Sequence, residues 1–493
     1  MQIKKEDFNK ILNEIGEYGV VDQVFHPIVR ASGLPGARVN EIVLFETGDL
    51  GQVVVLNRDL IEIVNFSKHP IKSDTKVVRT NTQLSIPVGL EYLGSLIDPL
   101  GNLLFEGKDF KKSNETKHID QKPPKIYERI RINEQLETGI TVLDILLPIG
   151  KGQRELIVGD RKTGKTSVFL TLIKNQAKKG LIIIYAAIGK RGVEIKKLKE
   201  YFEREGVMKN IVIVATSSQD SPSLIDLTPY SAMTMAEYYK DMGKDVITIF
   251  DDLTTHARFY REISLIAKRF PGRDSYPGDI FHRHAKLLER AGNFKHPEKG
   301  NVSITCLPVA ETNQRNLTDY IVSNLIGITD GHILFDIESF NKGVRPAVNI
   351  FLSVTRVGKQ TQDKLSRDIN KELLIFLIKY ERAQRFSHFG AELSREIKDT
   401  LVRGKQIYNF FEQGYDTGIP LTVQKIAISM IWSGLFLEEE TPQIGKKRNI
   451  LLNKYNEQAE TREFINQLIN VENFKELNEN VEKYKQRLTI LSK

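Results

Sequence analysis

The sequence predicts a multidomain chain in three parts: an N-terminal β domain, a central α/β phosphate-loop domain with a parallel sheet, and a C-terminal α-helical domain. Three observations predict it. Short β-branched runs crowd residues 18–87, strand-length apolar runs alternate with helical segments over residues 135–365, and from 366 onward only helical spacing remains. The boundaries expected are 1–90, 91–365 and 366–493.

In the first part, Glu41–Phe45, Gln52–Leu56 and Leu60–Val64 are rich in β-branched residues and separated by turn-forming Gly, Asn and Asp. Strands so close together suggest a small barrel or a sandwich, led by a short helix. Residues 108–125 are polar and end in Pro-Pro-Lys, which predicts a loop. In the second part, Leu156–Val158, Leu181–Ile184, Ile211–Val214 and Val246–Phe250 are apolar on both faces, as strands of a parallel sheet covered by helices on both sides must be. In the third, Leu373–Arg385 and Glu392–Phe411 carry apolar residues at helical spacing, and amphipathic helices joined by polar turns follow to the end. No short-period repeat interrupts this order.

Composition narrows the class. A chain of 493 residues with 40% hydrophobic and 27% charged residues has material for several cores. One cysteine, Cys306, excludes an intrachain disulfide and fits a reducing cytosol. No apolar run approaches the roughly 18 to 20 residues that span a bilayer, and the first ten residues lack the apolar core of a signal peptide. Membrane association is therefore expected only through partners. The net charge of +8 comes from lysines scattered along the chain, without a basic stripe interleaved with aromatics. No nucleic-acid partner is expected on that ground.

The chemistry starts at Gly159-Asp160-Arg161-Lys162-Thr163-Gly164-Lys165-Thr166, a GxxxxGK[ST] phosphate loop followed by Ser167. It follows a strand ending at Val158 and opens a helix, the context the motif needs. Backbone N–H groups and the helix N-terminus would cradle phosphate, Lys165 would reach the terminal phosphates, and the Thr166 hydroxyl would ligate Mg²⁺. A second apolar strand, Val246–Phe250, runs into Asp251-Asp252, and Asp251 is expected as an outer-shell or water-mediated Mg²⁺ ligand. Hydrolysis also needs a carboxylate that activates water, often at the end of the strand after the phosphate-loop helix. Lysine, Lys190, stands at that position. A lysine there cannot act as base, though it could stabilise bound anionic phosphate. Glu194 lies one helical turn on and reads more simply as an exposed helix carboxylate pairing with Lys197.

Read together, these residues resemble the alpha subunit of the F-type ATP synthase, from about residue 18 to about residue 435. The markers are Pro148–Leu156 before the phosphate loop, Asp251-Asp-Leu, Pro271–Phe281, Leu287–Arg290, Thr329–Gly331, Lys342–Pro346 and Ser353–Gly358. The Pro271–Phe281 segment and the missing catalytic glutamate point to the alpha type. The resemblance implies an N-terminal barrel, a RecA-like nucleotide-binding domain and a helical domain. It also implies an alternating ring with a catalytic beta-type partner around a central gamma-type rotor, with peripheral-stalk and membrane-sector subunits beyond. The location implied is the cytoplasm, peripheral at the inner face of the cell membrane. The alpha site would bind Mg²⁺ with ATP (or ADP) without turning it over. By the same resemblance, Arg161 to Thr166 and Ser167 belong to the phosphate loop and Asp251 to the Mg²⁺ site. Phe340, Arg345 and Pro346 contact ribose and adenine, Gln413 is a looser candidate for the adenine pocket, and Arg356 is an arginine finger given in trans to the beta site. Without the resemblance Arg356 reads as a strand-end surface arginine.

The chain departs from the family in having Lys162 and Lys190 where glutamine is usual. It also has a shorter N-terminal extension and a shorter stretch from Ala291 to Asn301. These departures keep open a specialised F-like ATPase that drives another machine, such as motility. A hexameric nucleic-acid motor is the remoter alternative. It would need its own catalytic glutamate and an aromatic platform in the barrel, and the sequence offers neither. An autonomous ATPase would have to rely on Glu194.

Overall fold

The structure is a computed structural model that describes residues 5–105, 110, 112–387, 394–415, 417–436 and 443–492. The chain divides into two compact units. The first comprises Met1–Ile130, Gly180–Glu311 and Asn316–Thr329, and the second Arg131–Lys179, Thr312–Arg315 and Asp330–Lys493.

The first unit begins with the helix Asp7–Ile15 and a closed six-stranded barrel. Around the barrel run Tyr18–Phe25, Ile28–Ser32, Ile61–Asn65, Leu50–Leu56, Glu41–Phe45 and Lys76–Gln83, which returns to the first strand. All these pairings are antiparallel. Closure removes the unpaired edges that a sandwich of so few strands would expose. Val21, Val29, Val43, Phe45, Val53, Ile63 and Val77 fill the interior and are fully buried. Alternation along each strand turns one face inward, which explains the β-branched pattern of the sequence.

The same unit holds parallel strands in the order Gly300–Thr312, Val246–Asp251, Ile182–Lys190, Ile211–Ser217 and Leu96–Ile97. Gly292–His296 adds antiparallel to the first of these. The middle strands are buried on both faces, as their unbroken apolar runs predict. The helix Pro222–Asp241 starts with proline at its first turn, where the missing N–H costs nothing. The helix Leu253–Ile266 is capped by Asp252, which accepts from the Thr255 N–H at 2.6 Å. Residues 108–125 are not wholly loop: Thr116–His118 pairs antiparallel with Ser85–Pro87. Backbone hydrogen bonding to a distant edge overrides a local composition that has no strand character.

In the second unit, Glu155–Asp160 runs parallel to Gly331–Phe335, and Val354–Thr355 pairs antiparallel with Gly331 and His332. The helix Lys165–Lys178 follows the first strand directly. Beyond residue 362 every element among the described residues is a helix, from Lys364–Ser387 and Arg395–Phe411 to Lys485–Leu491. Residues 392 and 393, expected to begin the second of these helices, lie outside the described residues. The fold classes are those expected: a barrel, parallel strands with helices, and a helical C-terminal part.

Candidate functional site

The phosphate loop hangs between the strand Glu155–Asp160 and the helix Lys165–Lys178. Gly159 stands beside Phe335 in the parallel register, and a Cβ there would come within 2.6 Å of the Phe335 carbonyl. Only glycine lets the two strands close at this point. Gly164 caps the helix at φ 88, and Lys162 also adopts a positive φ of 61. The first is at ease there and the second is a strained choice for a residue with a Cβ.

Asp160 pins the loop from the inside. Its Oδ1 accepts from Thr312 Oγ1 at 2.6 Å and from the Arg315 N–H at 3.2 Å. Thr163 is buried and donates to the Asp160 carbonyl at 2.8 Å. Lys165 Nζ donates to the carbonyls of Gly159 at 2.7 Å and Asp160 at 2.6 Å. Arg161, Lys162, Thr166 and Ser167 are exposed around the loop and the first helical turn. The helix N-terminus thus presents backbone donors, a tethered ammonium and two hydroxyls, the set that receives phosphate.

Phe340 flanks this loop: a Cβ on Gly164 would lie 3.5 Å from its ring. The Arg345 guanidinium stacks on the same ring, 3.4 Å from its centroid, and donates to the carbonyls of Phe340 and Val344. Pro346 follows, half-buried. The result is a rigid apolar and π surface beside the loop. Gln413 joins through its backbone, donating its N–H to the Arg345 carbonyl at 2.7 Å. Its side-chain amide is spent elsewhere: Oε1 accepts from Thr141 N–H and Oγ1, and Nε2 donates to Gly139 at 2.6 Å and to Thr417. Gln413 therefore ties chain segments together and holds no spare donor for a base.

Arg356 stands at the other end of these strands. Its N–H donates to the Asp330 carbonyl at 3.0 Å, at the head of Gly331–Phe335, whereas the phosphate loop leaves from the tail. The platform beneath it is fixed. Thr355 Oγ1 donates to Pro148 at 3.0 Å and accepts from Gln153 at 3.3 Å, and Arg154 forks onto Asp330 at 2.7 and 3.0 Å. Glu155 is buried beside this platform; burial and the Asp330 charge push its carboxyl well above the usual range.

In the first unit, Asp251 ends its strand facing two donors. Lys190 Nζ lies 2.8 Å from Oδ1 and the Tyr185 hydroxyl 2.7 Å from Oδ2. Lys190 also reaches Asp252 Oδ2 at 3.4 Å, and Asp252 takes the N–H and hydroxyl of Thr255. Burial disfavours the Lys190 charge, but the two aspartates outweigh it and lift the ammonium above the ordinary lysine range. Burial together with the Asp251 charge holds the Tyr185 hydroxyl firmly protonated. The expectation that Lys190 stands ready for phosphate thus needs correction, because its charge is already answered by carboxylates. Tyr185 escaped the sequence reading. The register that sets Ala187 beside Asp251 puts Tyr185 one pleat back on the same face, a relation no local pattern carries. Glu194 is exposed, as expected, but the ion pairs on its helix are Lys196–Glu200 and Lys199–Glu203.

No helix among the described residues is long and apolar enough to cross a membrane. Residues 139–355 match the nucleotide-binding domain of the ATP synthase alpha/beta family, and residues 362–486 match the C-terminal domain of the ATP synthase alpha/beta chain. The ATP synthase subunit alpha of Helicobacter pylori (strain Shi470) is 37% identical over 438 residues, covering 87% of this chain and 87% of that protein. That of Dictyoglomus turgidum is 38% identical over 438 residues, covering 89% of this chain and 85% of that protein. A phosphate loop set in this strand–helix frame and a match that runs through both domains agree: the chain belongs to the ATP synthase alpha/beta family, as a member of its alpha type.

Proposed function

We propose that this chain is the non-catalytic, nucleotide-binding subunit of a rotary ATPase ring, and that it supplies Arg356 in trans to the catalytic site of a beta-type partner. The ring would turn a gamma-type rotor, with peripheral-stalk and membrane-sector subunits as further partners. The observation that carries this reading is the place of Arg356. It leaves the strand platform at the end opposite to its own phosphate loop. The strand between them measures roughly 13 Å at about 3.3 Å per residue, further than an arginine side chain spans. A guanidinium so placed, on a fixed platform, is suited to another chain's phosphates, where it would stabilise charge building on the transferred phosphoryl group.

In this reading ATP or ADP lies on the phosphate loop, from Gly159 and Asp160 through Arg161, Lys162, Thr163, Gly164, Lys165 and Thr166 to Ser167. The base stacks against the Phe340–Arg345–Pro346 surface. Thr166 supplies a hydroxyl to Mg²⁺, which would screen the phosphate charge. The fit is good at Thr166, which is exposed at the first helical turn. It is poor at Asp251, whose two oxygens already serve Lys190 and Tyr185. Lys190 also occupies the place of a general base and cannot act as one, so slow turnover by the chain alone is the corollary. The test is the purified chain itself. It should bind ATP while hydrolysing it well below about 1 s⁻¹, the low end for phosphoryl transfer enzymes. Faster turnover by the chain alone would refute the non-catalytic reading.

A further inference from the structure

The first unit contains a cavity of about 400 Å³ between the barrel and the helices beside it. Val54, Val64 and Phe66 on the barrel side, with Leu227 and Ile263 on the helix side, give it an apolar lining. Water finds few partners against such a lining, and the volume falls in the range of ligand cavities. Most of the charge around it is spent within the protein. Arg283, in the helix Ile280–Leu288, lies over the Tyr260 ring at 3.9 Å from its centroid. It donates to Asp226 at 2.9 Å and to the Tyr230 hydroxyl at 3.1 Å. Arg290 forks onto Glu237, and Lys286 pairs with Asp120. Of the lining arginines, lysine and aspartates, two remain. Among the described residues, Arg269 meets no carboxylate and Asp279 meets no cation. Both reach the Tyr260 hydroxyl instead, which donates to Asp279 Oδ2 at 2.7 Å and accepts from Arg269 Nη1 at 3.4 Å. Asp279 holds the N-cap position of its helix yet makes no capping bond, so its carboxylate is committed to the cavity side rather than to the helix. Asp279 is exposed and Arg269 half-buried, whereas Phe66, Leu227 and Ile263 are buried. The two charges therefore lie toward solvent and the apolar lining lies deeper.

We infer that this cavity binds a small zwitterion, an apolar α-amino acid, whose carboxylate meets Arg269, whose ammonium meets Asp279 and whose side chain fills the apolar lining. A cation and an anion one hydroxyl apart match a ligand that carries both charges on one carbon. An anionic amphiphile would answer Arg269 but crowd Asp279 with like charge, and a cationic one would do the reverse. Each of the two contacts is a charge-assisted hydrogen bond, and the tail adds burial of apolar surface. None of these residues belongs to the unit that holds the phosphate loop, so the site does not depend on the nucleotide reading.

The experiment titrates L-leucine and L-phenylalanine into the full-length purified chain by isothermal calorimetry, without nucleotide. At least one of them should bind one per chain with a Kd below about 1 mM, and raise the melting temperature at saturation. Isocaproate, which keeps the leucine tail and carboxylate but has no ammonium, should bind about tenfold or more weaker than leucine. Isoamylamine, which keeps the tail and ammonium but has no carboxylate, should weaken by as much. Glycine, without a tail, should not bind. Arg269→Gln and Asp279→Asn should each weaken the amino acid by about tenfold, the scale of one charge-assisted contact. Ile263→Trp fills the cavity and should abolish binding. Should that variant not fold, the two substitutions nearer solvent still decide. Isocaproate or isoamylamine binding as tightly as leucine would show a site for one charge only and overturn the inference. So would the absence of binding by both amino acids, or binding that neither Arg269→Gln nor Asp279→Asn alters.

Discussion

Two lysines of this chain stand against opposite kinds of partner. Lys165, in the phosphate loop, donates to two neutral carbonyls, those of Gly159 and Asp160. Lys190, at a strand end in the other unit, donates to two carboxylates. A carbonyl is easily exchanged for a phosphate oxygen, because the charged acceptor makes the stronger bond. A buried carboxylate is not easily abandoned, because withdrawing the cation leaves an uncompensated charge in a poorly solvated place. Lys165 thus holds carbonyl bonds that a phosphate oxygen can replace, whereas Lys190 is held by carboxylates. Residue type sets the charge, and the opposing group sets what that charge can do.

Arg356 extends the comparison to an exposed cation whose backbone is anchored on the strand platform, and it carries the largest expected effect. Arg356→Lys keeps the charge but loses the planar multi-donor fork. It should lower steady-state turnover of the assembled complex by about 10³-fold or more, with ring assembly preserved by size analysis. Wild-type turnover in an assembled variant would reduce Arg356 to a surface residue.

The lysine contrast itself predicts a difference in stability. Lys190→Met removes one partner of a largely buried pair and should cost about 3 kcal/mol in chemical denaturation. Lys165→Met breaks bonds to neutral carbonyls and should cost less. Equal losses would erase the distinction drawn here.

The opposing-group rule also fixes the pH response. Asp144, wholly buried, is pushed up to about 6 by burial, against donors from Thr138 and Gln424 that favour its anion. The folded carboxyl thus binds its proton before the unfolded one does. Stability from this group is present below the ordinary value of 3.8 and is lost as pH rises to about 6, by about 3 kcal/mol at most. His284 in the other unit works the opposite way. Burial and the neighbouring His256 hold it well below 6.5, so the folded state refuses a proton that the unfolded chain accepts, and stability falls as pH drops through 6.5. Asp144→Asn should therefore remove the first slope and His284→Gln the second, in denaturation midpoints followed from pH 4 to 7. Unaltered slopes would mean that neither group carries the pH response.

The smallest effect belongs to ligand binding. Lys165→Ala should weaken nucleotide binding to this chain by roughly tenfold, one charge-assisted contact, while the assembled complex keeps substantial turnover. A collapse of turnover equal to that of the same change in the partner would make this site catalytic.

The phosphate loop is legible in the sequence because everything that defines it is contiguous: a strand, two glycines, a lysine and a hydroxyl within nine residues of one another. The barrel strands, the parallel strands and the C-terminal helices are legible for the same reason, since periodicity is a local property. The closed form of the barrel is not, because closure depends on how the first and last strands meet. Nor is the strand Thr116–His118, which exists only through its partner. The side chain of Gln413, a looser adenine-pocket candidate by the family resemblance, engages Thr141, 272 positions away, a link that no local pattern carries.

Local order along the chain thus suffices for the domain classes, the family resemblance and the phosphate motif, since each rests on neighbours in sequence. The pairing of Lys190 with Asp251 spans 61 positions and depends on strand register. The distance of Arg356 from its own phosphate loop depends on which end of a parallel pair its backbone joins. Such relations emerge only on folding, because a charge finds its partner through the sheet and the strength of their attraction depends on how much water the fold leaves between them.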